Sequence, residues 1–390
     1  MIALIHFLFY ACILIVGIYS LMIFRWMLAW KMFPPGFRNE IVPGFEKITV
    51  IVAARNEESE ILNCLHALNN QVYPDLEIII SDDFSEDNTS EIVRQFILAN
   101  NSANKQWRLL EASETDKTGK KAALERAIQE ASGNLILTTD ADCSMGNHWA
   151  HSFAIAHQNS KASMITGYVK LNSGKRWFEK FQALEFVSLS GTGAASVILG
   201  KPLMCNGANL AFTKSAFYDA GGYSYGNQLA SGDDTFLMLR IAKSGNGKVV
   251  FNKSEESIVS SKPVSDFKLL IAQRKRWASK VQYYNETYIK ATGGLLVGVN
   301  FILILAFIFG VCGMWSWEAI GLLWLIKCVA DFGFLFSVSG FARQRQLLLL
   351  FLPAVIIYPI YALSSMITLP GNVGYSWKGR DYKVSKKSNE

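Results

Sequence analysis

The residues that promise chemistry in this chain are acids placed where hydrophobic runs end. In "LILTTDADC" the apolar residues 135–137 lead within a few positions to Asp140 and Asp142, separated by one alanine. Two carboxylates that close repel each other unless a cation sits beside them. A divalent metal with oxygen ligands removes that cost and commonly holds a substrate diphosphate as well. A lone D-x-D is usually a solvated turn, so the reading depends on its position at a strand end. A second acid pair, Asp233 and Asp234 in "SGDDTFLMLRI", opens a helical pattern with Phe236, Leu237, Leu239 and Ile241 on its apolar stripe. One aspartate suffices to cap a helix, which leaves the other available as a general base. In "QRKRW", residues 273–277, three cations lie beside an indole. Arginine clamps phosphate oxygens and tryptophan stacks on a sugar or base, although a basic face beside a membrane accounts for the lysine equally well.

Alternating strand and helix patterns position these groups. "ITVIVAA" (48–54) is a β-branched run, and in "ESEILNCLHALNNQ" Ile61, Leu65 and Leu68 share a helical face. "LEIIISDD" is a second strand ending in acid. "SEDNTSEIVRQFILAN" follows as a helix, with N-cap candidates between Ser85 and Ser90 and a stripe of Ile92, Val93, Phe96 and Ile97. "WRLL", "GKKAALERAIQEAS" and "LILTTD" supply a third strand, a third helix and a fourth strand. This alternation predicts an α/β domain with a mostly parallel sheet covered on both faces. Ligands bind such sheets beyond the carboxyl ends of the strands, where Asp82, Asp83, Asp140 and Asp142 fall. Residues 175–191, "KRWFEKFQALEFVSLSG", read equally as an amphipathic helix lying in a membrane interface or as a helix packed in the core.

The chain of 390 residues is 51% hydrophobic, and the excess is concentrated. Residues 1–24, 294–317 and 346–370 carry no Asp, Glu, Lys or Arg, and a helix needs roughly 20 apolar residues to cross a bilayer. The first segment lacks a basic leader and an A-x-A site, so it reads as a permanent anchor rather than a cleaved signal. Arg25, Lys31 and Arg38 follow it, which places residues 31 to about 290 in the cytosol. Four complete spans would put the C-terminus outside, yet Lys378, Arg380, Lys383, Lys386 and Lys387 favour the cytosol. The last segment, carrying Pro353 and Pro359, is therefore the candidate for a re-entrant or interfacial course. Lys327 and Asp331 stand four apart within the segment before it and are expected to pair. The six cysteines form no C-x-x-C pair, which argues against a disulfide framework or a zinc site. The net charge of +6 suits anionic lipid heads rather than nucleic acid.

Taken in order, "AARNEE" (53–58), "ISDDFSEDNT" (80–89), "TGKKAAL" (118–124), "TTDADC" (138–143), "GDDT" (232–235) and Q-x-x-R-W at 273–277 resemble the membrane-bound family 2 glycosyltransferases. "CNGANLAF" followed by "GGYS", and the closing "WKGRDY", add to the resemblance, which covers roughly residues 46–280. It implies a nucleotide-diphospho-sugar transferase domain of the Rossmann-like A-type, with N- and C-terminal transmembrane helices. The implied organisation is an anchor over 1–30, a cytosolic transferase domain with amphipathic interface helices over 31–292, hydrophobic segments over 293–370 and a basic tail over 371–390.

Residue by residue, the resemblance implies that Ala53, Arg55, Glu57 and Asp83 line the base and ribose and that Lys120 approaches the nucleotide. Asp140 lies on the donor side, Asp142 ligates Mn²⁺ or Mg²⁺ directly, and Asp234 is the catalytic base, with Asp233 where the family often has Glu. Asn206, Gly207 and Asn209 fall on the acceptor side, and Gln273, Arg274, Arg276 and Trp277 close over diphosphate and acceptor. Inverting transfer of one sugar from a UDP-sugar to a lipid or lipid-linked acceptor follows, at a bacterial inner membrane. A processive polysaccharide synthase, a nucleotidyltransferase and a non-catalytic membrane scaffold of the same fold are the alternatives. Intact acids in all three motifs weigh against the scaffold.

Overall fold

The structure is a computed structural model that describes residues 2–36, 46–102, 104–223, 233–244, 247–364, 375–377 and 380–382. Helix α1 (Ile2–Met32) precedes β1 (Ile48–Ala54), α2 (Ile61–Asn69), β2 (Leu76–Asp82), α3 (Thr89–Asn100), β3 (Lys105–Leu110), α4 (Lys120–Glu130) and β4 (Leu135–Asp140). Next come β5 (Ser144–Met145), α5 (Trp149–Ser160), β6 (Met164–Thr166), β7 (Val169–Leu171), α6 (Trp177–Ile198), β8 (Leu210–Thr213), α7 (Lys214–Asp219) and α8 (Asp233–Lys243). The chain continues through β9 (Val249–Phe251), β10 (Val259–Ser261), α9 (Phe267–Ala278), α10 (Thr287–Val311), α11 (Trp317–Phe341) and α12 (Phe351–Ser364). Strands β11 (Tyr375–Trp377) and β12 (Arg380–Tyr382) pair antiparallel. The chain divides into two compact units, one holding residues 1–32, 173–191 and 264–373, the other 33–172, 192–263 and 374–390.

The second unit is the mixed α/β domain expected from the alternation. Its main sheet runs β3-β2-β1-β4-β8-β6-β9, with β3, β2, β1 and β4 mutually parallel and β8 antiparallel to both neighbours. Every residue of β2 is buried, as are all but one of β1, which explains their mostly apolar sequences. Register levels the strand ends: Ala53 stands opposite both Ser81 and Asp140, and Ala54 opposite Asp82. The acids therefore leave the sheet at one carboxyl edge. A small sheet, β5-β10-β7, brings Ser260 opposite Ser144 just beyond that edge.

The four expected strands and three expected helices are present, and the predicted face of α2 is buried at Ile61, Leu65 and Leu68. The cap of α3 falls within the expected residues 85–90. Asn88 holds the cap position without a side-chain bond, and Asp87 Oδ1 accepts from the Thr89 amide at 3.0 Å instead. Glu77 is buried within β2, yet its carboxylate accepts from Thr49 Oγ1 at 2.6 Å and from the Ser132 amide at 2.7 Å. Burial opposes its charge, but these bonds outweigh burial and hold its pKa below the usual carboxylate range.

The first unit is helical. Helix α1 packs on α11, where Trp30 Nε1 donates to the Ser337 carbonyl at 3.1 Å, and α10 packs on α12. Among the described residues, four helical stretches, Ile5–Met32, Thr287–Val311, Trp317–Phe341 and Arg345–Ser364, are long and apolar enough to cross a membrane. The last begins as a 3₁₀ turn, so only the 14 residues of α12 are α-helical. Pro353 falls in the first turn of α12, where a missing amide costs nothing, and Pro359 lies inside it. The paired charges of α11 meet as expected: Lys327 bonds to Asp331 Oδ2, and Tyr19 of α1 donates to Oδ1 at 2.6 Å.

Between the two readings of residues 175–191, the structure supports the packed helix. Residues 181–187 are buried without interruption, Gln182 and Glu185 among them, and a helix covered all round is a core helix. Only the start of α6 is open, with Trp177 exposed and stacked on Phe181.

Candidate functional site

The site forms where β1, β2 and β4 end. Two bulky or branched-loop positions there, Asn56 and Phe84, adopt left-handed backbone angles (φ 50° and 57°), an uncommon state for residues with a side chain. Arg55 holds this turn in place. Its Nη1 donates to the Asp83 carbonyl at 2.8 Å and to that of Phe84, and its Nη2 pairs with Glu86 at 2.9 Å. At 4% exposed, Arg55 turns its charge to these protein partners. Glu57 is half-buried; its amide donates to Thr89 Oγ1 at 2.8 Å. Ala53 stays half-buried on the edge of β1.

Asp83 is closed in as well. Its Oδ1 accepts from the Gly119 amide at 2.8 Å, and Gly119 has φ of 106°, a conformation open to glycine. The next residue, Lys120, opens α4, so this bond aims the lysine. Lys120 Nζ pairs with Asp140 Oδ1 across α4 and β4. Burial pulls the ammonium pKa down, but the Asp140 charge and hydrogen bond, with Asp234 and Asp142 behind them, outweigh burial and leave it raised.

Asp142 is the least satisfied of the acids. It accepts from Ser261 Oγ at 3.3 Å, and the Cys143 thiol lies 3.5 Å from its other oxygen. Burial first, and the Asp140 charge second, push its carboxyl above the usual range, with Lys120 offsetting only part of this. An all-oxygen acid pair in that condition fits a hard divalent cation. Among the described residues no group of three or more His, Cys, Asp or Glu gathers around a metal position. The pair suits an ion that draws its remaining ligands from phosphate and water, and it does not suit a closed structural site.

Asp234, the second residue of α8, accepts from the Gly207 amide at 2.7 Å and the Thr235 amide at 2.8 Å. The carbonyl of Gly207 in turn accepts from Thr138 Oγ1 of β4 at 2.8 Å. This chain of bonds holds the third acid to the strand that ends at Asp140. Asp233 is the first residue of α8 in backbone, while its side chain, Gly232 and the "GGYS" serine lie outside the described residues.

Of the acceptor-side expectations, Asn206 and Gly207 stand beside Asp234, and Asn206 Oδ1 accepts from the Ala208 amide at 3.0 Å. Asn209 differs. It is wholly buried, donates to the carbonyls of Tyr168 and Ser257 at 2.8 and 2.7 Å, and accepts from Trp149 Nε1 at 2.9 Å. With its amide fully engaged, it ties β7, β8 and the β10 approach together and offers nothing to an acceptor. Gly167 shows how tightly it fits, since a Cβ there would lie 2.3 Å from Asn209 Nδ2.

The Q-x-x-R-W residues lie on α9 in the helical unit, started by an Asp266 cap that accepts from the Leu269 amide at 3.0 Å. Arg274 is 7% exposed, and its guanidinium faces Glu185 of α6 rather than solvent. The expectation that it clamps a diphosphate does not match that geometry. Gln273, Arg276 and Trp277 are half-buried. Glu185 itself escaped the sequence reading, although a lone acid inside "QALEFVSL" signals a buried charge that needs a partner.

A mostly parallel sheet with acids gathered at its carboxyl edge defines a nucleotide-sugar transferase fold of the A-type. The sequence profile described as "Glycosyltransferase like family 2" matches residues 43–280, more than half of the chain, and the chain belongs to that family. The mannosyltransferase PcManGT from Pyrobaculum calidifontis, solved with GDP-Man and Mn²⁺, aligns over 93% of this chain and 99% of its own at a TM-score of 0.57. At 18% identity that likeness concerns the fold. Glycosyltransferase AglE of Haloferax volcanii is 25% identical over 202 residues, 51% of this chain and 62% of that protein. Poly-beta-1,6-N-acetyl-D-glucosamine synthase of Staphylococcus epidermidis is 29% identical over 179 residues, 45% of this chain and 42% of that enzyme. The chain thus spans under two thirds of the length of either relative.

Proposed function

We propose that this glycosyltransferase is membrane-bound and metal-dependent, and that it moves one sugar with inversion from a nucleoside diphosphate sugar, UDP-linked, to a lipid or lipid-linked acceptor. The supporting observation is the gathering of Lys120, Asp140, Asp142 and Asp234 at one edge of the sheet. The transferase domain, 31–292, faces the cytosol between an anchor over 1–30 and the hydrophobic segments 293–370, at a bacterial inner membrane. The tail over 371–390 completes this arrangement; its lysines lie outside the described residues.

In this reading Ala53, Glu57 and the turn braced by Arg55 and Asp83 form the nucleotide wall. Asp142, with Asp140 beside it, would hold Mn²⁺ or Mg²⁺, which neutralises the charge of the departing diphosphate. Lys120 stays protonated beside Asp140 and adds a second positive charge there. Asp234, oriented by the Gly207 amide, removes the proton of the attacking acceptor hydroxyl. Asp233 stands beside it at the start of α8, with Asn206 and Gly207 on the acceptor side. Arg276 supports the leaving group, and Gln273 and Trp277 receive the acceptor. A base and a leaving group on opposite faces of the anomeric carbon give inversion.

A processive synthase is the second reading, favoured by the resemblance to the poly-beta-1,6-N-acetyl-D-glucosamine synthase. The test is Asp234→Asn, which keeps the size and hydrogen-bonding oxygen of the side chain. Membranes bearing the variant, supplied with labelled nucleotide sugars, should bind nucleoside diphosphate normally and turn over ~10²- to 10⁴-fold more slowly. Normal turnover, or a defect wholly in donor affinity, would remove Asp234 from the base role. Product length in the wild-type reaction separates single transfer from polymerisation.

A further inference from the structure

The Q-x-x-R-W helix carries a buried ion pair that the transfer chemistry does not use. Arg274 is bidentate on Glu185, with Nε 3.1 Å from Oε1 and Nη2 2.7 Å from Oε2. Tyr361 of α12 donates its hydroxyl to the same carboxylate at 3.1 Å. Both charged side chains are nearly closed to solvent, 7% and 6% exposed. The other side of Arg274 faces its own motif. Its Nη1 donates to the Gln273 side-chain oxygen, and its guanidinium carbon lies 4.3 Å from the centre of the Trp277 ring. Phe186, one residue after Glu185, meets the same indole at 6.2 Å, and Phe181 packs edge-on against Tyr361 at 5.4 Å.

A buried ion pair is a poor way to gain stability, because desolvating both charges costs about as much as their attraction returns. Its value lies in geometry. The fork of an arginine, unlike a lysine ammonium, fixes direction, and here it fixes Gln273 on one side and Trp277 on the other. Arginine stacked on an indole also restricts the ring's rotation. We propose that Glu185, Arg274 and Tyr361 form a positioning clamp that sets the orientation of Gln273 and Trp277 for acceptor binding. Through Tyr361, α12 becomes part of that clamp. The proposal rests on the assignment of Gln273 and Trp277 to the acceptor made above.

The test uses the full chain in detergent with 5-fluorotryptophan in place of its ten tryptophans, the Trp277 ¹⁹F resonance being assigned by its loss in Trp277→Phe. Arg274→Lys and Tyr361→Phe should each shift or broaden the Trp277 resonance while the tryptophans of α1 and α5 keep theirs. Tyr361→Phe removes one hydroxyl and keeps the ring contact, so it remains informative if Arg274→Lys folds poorly. In membranes, transfer of the labelled sugar that the wild type turns over should fall ~10²-fold for Arg274→Lys and ~10-fold for Tyr361→Phe. The KM for donor should stay unchanged in both. An unmoved Trp277 resonance in Tyr361→Phe, or a loss of turnover matched by loss of donor affinity, would overturn the clamp. Full transfer by Trp277→Ala would instead overturn the acceptor assignment, and the resonance shift would still stand.

Discussion

Two lysine–aspartate pairs in this chain have the same chemistry and opposite settings. Lys327 and Asp331 lie one helical turn apart in α11, 3% and 16% exposed. Their charges cancel one for one. The second Asp331 oxygen takes the Tyr19 hydroxyl, and the ammonium lies 5.7 and 6.0 Å from the ring centres of Tyr19 and Tyr358. Lys120 and Asp140 join α4 to β4 at the sheet edge, each one-third exposed. There one lysine faces three carboxylates, because Asp142 and Asp234 also act on it. The first cluster is complete by itself, and the second has a surplus of negative charge. Completeness suits a joint between helices in a medium without water, where an unpaired charge costs several kcal/mol. A surplus suits a place where cationic charge must arrive with a substrate.

The largest effect that sharpens this contrast belongs to Asp142. Asp142→Asn should bring transfer to the assay floor, and chelation should do the same to wild type, reversibly with Mn²⁺ or Mg²⁺. The same substitution should stabilise the metal-free protein. Burial and the Asp140 charge raise the Asp142 carboxyl above its unfolded value. Such a group favours the folded state below the ordinary aspartate range and loses that contribution as pH rises through its raised folded value. The Tm advantage of Asp142→Asn in chelator should therefore grow from pH 4 towards pH 7 and shrink when Mn²⁺ is added. An advantage that is flat with pH would mean that Asp142 carries no surplus.

At the complete pair the sign reverses. Asp331→Ala leaves the Lys327 ammonium buried without its partner and should cost ~3–5 kcal/mol in detergent unfolding. The double replacement Lys327→Met with Asp331→Leu should recover most of that, since an apolar pair of similar volume commonly equals a buried ion pair. Turnover per folded molecule should be unchanged in the double variant. If it collapsed, the pair would serve the reaction and the contrast with Lys120–Asp140 would fail.

Much of the sheet edge was legible in the sequence because strands end where hydrophobicity ends. The mostly apolar runs 48–54, 76–80 and 135–137 place β1, β2 and β4, and acids a few residues beyond two of them mark the carboxyl edge. What the sequence does not display is which way a polar side chain faces. The resemblance set Arg55 against the base and ribose and Arg274 over the diphosphate, yet one braces the carbonyls of Asp83 and Phe84 and the other pairs with Glu185. Asn209 read as an acceptor contact from its neighbours in "CNGANLAF", yet it alternates inward on β8's approach and joins three strands' surroundings. Partners more than 80 residues distant, such as Glu185 for Arg274, leave no local pattern. Helix α6 was ambiguous for a related reason: Lys175, Arg176 and Lys180 beside Trp177, Phe181 and Leu184 suggest an interfacial face, whereas Gln182 and Glu185 further along are buried polar groups with partners.

The smallest effect tests whether the α11 pair needs its third member. Tyr19 spans from α1 to α11, and its hydroxyl is the donor that fills Asp331 Oδ1. Tyr19→Phe keeps the ring, and with it the cation–π contact to Lys327, and deletes only the hydroxyl. A hydrogen bond to a charged group contributes about 1.5–3 kcal/mol in proteins, and polar contacts inside membranes average nearer ~0.6 kcal/mol. A loss of about 1 kcal/mol in detergent unfolding is therefore expected, well below that of Asp331→Ala. In the Asp331→Leu, Lys327→Met background the same substitution should cost little or nothing, because the hydroxyl no longer has a carboxylate to fill. Equal costs in the two backgrounds would show that Tyr19 acts through packing alone. The cluster would then be a two-member pair with an aromatic neighbour, and its completeness would come from Lys327 and Asp331 by themselves.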